Sequence, residues 1–198
     1  MPKSSDFSSL PDQAILEKRF AFIDNDILKT NIVIAIRYVT FLVLLDTDEL
    51  PGVLRYSLYK DIILHTSSVI ECCIYYCLDQ AVKKGYIGER ELNNVEWIDI
   101  STKQIYKIDE DNVIVASHRR KKYYSLKENN NFIILNRAAM RANIFDISTF
   151  NAAETIRKMR NHIHLASLED VDDFYQKGDV DDIFEKAKKI LTCIEEYI

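Results

Sequence analysis

Apolar positions recur along this chain at helical spacing in long stretches, and residues that break helices fall in only a few places. Residues 7–24 read as a short amphipathic opening. Residues 26–46 form a very apolar second helix that gives way at Asp46-Thr47-Asp48-Glu49-Leu50-Pro51-Gly52, because the residue before a proline avoids helical geometry. Residues 54–84 then run without a breaker to Gly85, a C-cap by pattern, and the two long helices are expected to be antiparallel neighbours. From 95 to 126 β-branched and aromatic residues alternate with polar ones, as in Trp97-Ile98-Asp99-Ile100, Ile105-Tyr106-Lys107-Ile108, Val113-Ile114-Val115 and Tyr123-Tyr124-Ser125-Leu126. Asp109-Glu110-Asp111-Asn112 supplies a turn between them. Helical spacing returns over 132–144. Another helix starts with Ser148 or Thr149 as its cap and runs to about residue 166. Acidic residues 169–173 and Gly178 form a connection, and 180–198 is a closing amphipathic helix. The sum is a mainly α protein, an antiparallel helical bundle forming a single domain over residues 1–198, with a small β-rich insertion at about 95–126.

Composition narrows the class. With 198 residues, 47% hydrophobic and 29% charged, the chain can bury a real core without disulfides, and disorder is excluded as its main theme. The longest apolar stretch, 32–45, contains Arg37 and Thr40 and falls short of the roughly 20 residues that span a bilayer, so it reads as a buried helix and no membrane contact is expected. The first residues lack a basic segment followed by an apolar one, which predicts no signal peptide and a cytoplasmic location. Cys72, Cys73 and Cys77 sit inside the apolar run 69–78 and, with Cys193, are expected to act as small hydrophobes. Neither a His nor a second Cys pair stands near them at metal-ligand spacing, so neither metal nor cofactor is expected. A net charge of −5 argues against a surface that coats nucleic acid, while leaving room for a local basic cleft.

One stretch concentrates chemistry: Arg157-Lys158-Met159-Arg160-Asn161-His162-Ile163-His164-Leu165. With Arg157 at zero on a helical wheel, Arg160 falls at about −60°, Asn161 at about +40° and His164 at about −20°, so the four share a face. Ile156, Met159 and Ile163 form the opposite, core-facing stripe, and His162 points away from the arginines. Imidazole suits proton transfer near neutral pH, and guanidinium holds a phosphate with forked donors and stabilises negative charge as it develops. With RNA as substrate the ribose 2′-hydroxyl is an internal nucleophile, so a base, an acid and a charge stabiliser suffice without metal.

This arrangement resembles the HEPN domains, helical-bundle proteins that include metal-independent ribonucleases of prokaryotic toxin–antitoxin and antiviral systems. Their hallmark is an Arg, often followed by Asn, with a His after about four to six intervening residues, on a late helix. Here Arg160-Asn161 and His164 carry the likeness, together with the order of helices around a variable middle. Three residues separate Arg160 from His164, one fewer than the usual minimum; Arg157 with His162 or with His164 satisfies the common spacing. The resemblance implies a homodimer in which two motif helices meet around an RNA substrate, 2′-hydroxyl attack, and a cyclic phosphate and 5′-hydroxyl as products. It assigns His164 as general acid or base, Arg160 as phosphate ligand, Asn161 as an orienting group and Arg157 as added positive charge. It also suggests a nucleotidyltransferase antitoxin as partner and, as the alternative to the nuclease, a non-catalytic HEPN module that binds RNA, nucleotide or a protein partner.

Three further features stand outside that helix. Glu71 stands alone among apolar residues, where an unpaired carboxylate is costly, so it either pairs with Arg157 or Arg160 or reaches solvent at the bundle edge. His65 reads as a structural or surface residue. The basic run Arg119, Arg120, Lys121 and Lys122, beside Tyr123 and Tyr124, suits contacts to RNA phosphates and unstacked bases; the plainer reading is a solvated loop between strands. A helical interaction protein with no site at all is the plainest alternative for the whole chain.

Overall fold

Capping chemistry sets where the helices begin. In the computed structural model, which describes residues 10–88, 92, 95–123, 126, 131–161 and 175–198, a polar side chain opens most of them. Asp12 accepts a hydrogen bond from the Ala14 amide at the start of α1 (Gln13–Arg19). Asn25 does the same for Leu28 at α2 (Asp26–Leu45), and Asn131 for Ile133 at α4 (Phe132–Arg141). Pro51 precedes α3 (Gly52–Lys83), as its fixed φ predicts. The cap of α5 (Ile147–Asn161) is Asp146, whose carboxylate accepts from the Thr149 amide at 2.6 Å, rather than Ser148 or Thr149. The hydrogen bonds from Thr149 hold the Asp146 carboxyl below its ordinary range. Gly178 lies inside α6 (Lys177–Tyr197) rather than in a connection, because the Gln176 amide is satisfied by the Asp179 carboxylate and the helix starts there.

Two helices stop in the same way. At the end of α3 the Tyr86 amide bonds to the Ala81 carbonyl and the Gly85 amide to that of Val82, with Gly85 at φ +73°. At the end of α4 the same pair of bonds is made by Ile144 and Asn143, the latter at φ 56°. Both are left-handed terminations in which glycine or asparagine satisfies the last carbonyls without the penalty a bulkier residue would meet.

The protein is mainly helical, with a small antiparallel sheet of two strands among the described residues. α3 is the centre: α2, α4, α5 and α6 all pack on it, and α6 and α4 flank α5. Its neighbour α2 is antiparallel, since Asp46 meets Tyr59, Tyr38 meets His65, and Asp24 meets Tyr76. Ile62, Ile63, Ile70, Ile74 and Leu78 of α3 meet Ile156 of α5 and Ile183, Ile190 and Ile194 of α6 in the core. Cys73 and Cys77 are buried there as free thiols, and burial pushes the Cys77 thiol up to about 12.

α2 departs from expectation. It is a 20-residue helix, and by length and composition both it and α3 are apolar enough to cross a membrane. α3 is largely buried within the protein, whereas only 22% of the corresponding window of α2 is. Packing on α1 and α3 covers Ile32, Val33, Val39 and Leu42 and leaves Ile27, Ile34 and Tyr38 exposed. The insertion also differs in form: β1 (Val95–Lys107) and β2 (Val113–Tyr123) are two long strands of a hairpin, and the basic run lies within β2 rather than in a loop. Cross-strand pairing carries both strands through their polar middles.

The Gly85 geometry predicts that Gly85→Ala, which meets no atom within 4 Å, destabilises the chain by about 1 kcal/mol through backbone strain alone. Gly85→Asn should lose less, as judged by urea denaturation midpoints.

Candidate functional site

The helix bearing the arginines is held in place by its own apolar stripe. Ile156 is fully buried and Met159 packs against the core, as the wheel predicts. Beyond it, the side chain of the buried Tyr175 meets this helix, its hydroxyl donating to the Met159 carbonyl. The opposite face opens into a cleft of about 540 Å³ lined by Glu71, Arg157, Arg160 and Asn161, with Leu64 of α3 and residues 131–133 at the start of α4 as its other walls.

Glu71 has a partner in the cleft. Its carboxylate accepts from Nη1 of Arg160, bridging α3 and α5, so of the two arginines considered it takes Arg160. Arg157 turns instead to Glu154, three residues back on the same helix, with Nε and Nη2 donating to Oε2 at 3.1 and 2.8 Å. Glu154 in turn accepts from the fully buried Asn136 of α4 at 2.7 Å. Burial alone would raise the Glu154 carboxyl; the hydrogen bonds from Arg157 and Asn136, with the charges of Arg157 and Arg137, outweigh it and hold the group below its ordinary value of 4.5.

The structure thus brings Arg157, Arg160, Asn161 and Glu71 together. His162 and His164 lie outside the described residues, as do the continuation of the helix to about residue 166 and the acidic stretch 169–173. His65 is half-buried, its ring edge-on to Tyr38 at 4.8 Å, in agreement with a structural role. Sequence reasoning missed Glu154 and Asn136. The Glu154–Arg157 spacing was a readable signal; Asn136, 18 residues from its partner Glu154, gave none.

The basic run is not one patch. Alternation in β2 puts Arg119 and Lys121 on one face of the hairpin and Arg120 and Lys122 on the other. Arg119 is paired with Asp99 at 2.7 Å and Lys121 lies over the Trp97 ring at 5.4 Å. Both contacts are on the same face and join residues directly opposite in the ladder. Among the described residues no group of three or more His, Cys, Asp or Glu is placed to hold a metal ion.

Since the Glu154 carboxyl titrates below 4.5 in the folded chain, its contribution to stability is complete above about that pH and is lost as pH falls through the folded value. Glu154→Gln should therefore cost about 1 kcal/mol at pH 7 through weakened hydrogen bonds. The gap between variant and parent should narrow as pH falls from 5 toward 3, measured by urea unfolding across that range.

Compared with protein families, with curated proteins and with solved structures, the chain matches none of them.

Proposed function

We propose that this chain is a HEPN-type endoribonuclease that cuts RNA without a metal, acting in the cytoplasm as a toxin or an anti-phage effector. The observation that carries the reading is the Glu71–Arg160 ion pair in a cleft shared with Arg157 and Asn161. Glu71 fixes the direction of a guanidinium that would otherwise swing on a flexible stem, and a fixed cation is what a phosphodiester needs as its charge grows. In the proposed step the 2′-oxygen attacks the neighbouring phosphorus and the bond to the 5′-oxygen breaks. His164 makes one of the two proton transfers, as base toward the 2′-hydroxyl or as acid toward the leaving oxygen, and water makes the other, so the 2′-oxygen loses one proton and the 5′-oxygen gains one. Arg160 binds the phosphate, Asn161 orients the ribose and Arg157 adds charge. The products are a cyclic phosphate and a 5′-hydroxyl. A homodimer would set two such helices around one RNA, and a nucleotidyltransferase antitoxin is the partner the resemblance suggests.

A second reading has its own support. Both arginines already face carboxylates, Arg160 with Glu71 and Arg157 with Glu154, which leaves the cleft of one chain close to neutral. That favours a non-catalytic module of the same type, binding RNA, nucleotide or protein.

Single-turnover cleavage of a labelled RNA in the presence of EDTA separates the two. Arg160→Ala should slow cleavage roughly 10²–10³-fold and His164→Ala roughly 10²–10⁴-fold, with cyclic-phosphate ends on the products. Equal rates for parent and variants remove the nuclease reading, and RNA binding without cleavage at any pH establishes the module.

A further inference from the structure

The hairpin is built unlike the rest of the chain. Apart from the half-buried Ile98, every residue from 97 to 122 is exposed. Its apolar residues therefore have little cover: Ile105 is 65% and Tyr106 63% exposed, and Ile108 and Ile114 are close behind. An isolated two-stranded hairpin is marginal in water, and further strands beside it are the usual remedy. The two free edges differ. β1 carries an extra residue at Ile100 and another at Ile105, bulges of the kind that blunt an edge against pairing. β2 runs without interruption and presents a regular edge with which no other described residue pairs.

Charge supplies the identity of the occupant. The turn end carries Asp109, Glu110 and Asp111, while the far half of β2 carries the four bases, so the arm is acidic at its tip and basic at its root. A parallel neighbour would set like charges against each other. An antiparallel copy of the same arm sets each tip against a root, and a two-fold axis does this for both ends at once.

We infer that the β2 edges of two copies pair antiparallel about a two-fold axis at Ala116, forming a four-stranded sheet. In that register Ile114 of one copy faces His118 of the other, and the turn that leads into β2 brings Asp111 and Glu110 toward Lys121 and Lys122 of the other copy. The acids meet the bases in both halves of the interface, and the regular edge of β2 is closed while the bulged edge of β1 stays outside. The inference rests on the arm alone and does not depend on the nuclease reading.

Engineered cysteines test it directly. A two-fold at Ala116 brings the two Cα atoms to the separation a disulfide bridges, so Ala116→Cys should form a covalent dimer under mild oxidant at micromolar concentration. The parent, with its own thiols, and Lys103→Cys on β1 should not. Lys121→Glu with Lys122→Glu should reduce crosslinking at position 116 by roughly tenfold or more, and adding Glu110→Lys with Asp111→Lys should restore it, which a merely misfolded arm would not allow. No crosslink at 116, equal crosslinking at 103, or a reversal that the compensating pair fails to restore overturns the inference. So does loss of RNA binding in the reversed variant without any crosslink, which would make the arm a nucleic-acid strip. A chain that crosslinks but does not cut RNA keeps the arm pairing and removes the nuclease; cleavage without crosslinking does the reverse.

Discussion

A carboxylate on a largely buried helix needs a cation within reach, and Glu71 of α3 meets that need with Arg160 of α5. The pair fixes more than its own two side chains. It holds the polar face of α5 against α3 while Ile156 holds the apolar face in the core, so the rotation of α5 about its axis is determined from both sides. Tyr175, bonded to the Met159 carbonyl, secures the same helix from the chain that follows. Asn136 reaches Glu154 from α4 and aligns a second carboxylate with a second arginine. The cleft is the space left between elements that these contacts keep in register.

The hairpin answers to different physics. Among the helices, α2, α4, α5 and α6 each hide a stripe against α3 and leave the remainder to solvent. In the hairpin, alternation divides apolar residues between two faces, Val115 on one and Tyr106 with Ile114 on the other, so neither face gathers a stripe worth covering from within. Its order comes from the ladder and from cross-strand contacts such as Asp99–Arg119 and Trp97–Lys121. The tip is closed by Asp109, which accepts from the amides of Asp111 and Asn112. α2 is an intermediate case, with one face packed and Ile27 and Ile34 left outside.

What was legible in the sequence was what depends on nearby residues. Helical spacing placed α2, α3, α4, α6 and the start of α5 to within a few residues, Pro51 and Gly85 marked the ends of α3, and the acidic tetrapeptide marked the hairpin turn. The grouping of Arg157, Arg160 and Asn161 followed from rotation per residue, and the need of Glu71 for a partner from its apolar surroundings. Which arginine it takes was not readable, because that depends on how α5 sits on α3, 89 residues away in sequence. The cap of α5 was misplaced because Ser148, Thr149 and Asp146 are all competent caps, and geometry chose the last. The poor cover of α2 was hidden for a related reason: hydropathy measures how apolar a helix is, not how much of it has neighbours.

The donor geometry bears on which arginine would lead in the proposed nuclease. A guanidinium has five N–H groups in a fixed fork. Among the described residues Glu71 engages Nη1 of Arg160, whereas Glu154 engages both Nε and Nη2 of Arg157, the edge best suited to a bidentate anion. Arg160 can thus share its fork between Glu71 and a phosphate oxygen without giving up its anchor. Arg157 would have to release Glu154, leaving a part-buried carboxylate that still accepts from Asn136 but has lost its counter-charge, which is costly. On that proposed reading Arg160 takes the phosphate and Arg157 acts at a distance through its charge. The spacing of the motif leaves this choice open, and the carboxylate partners weigh it toward Arg160.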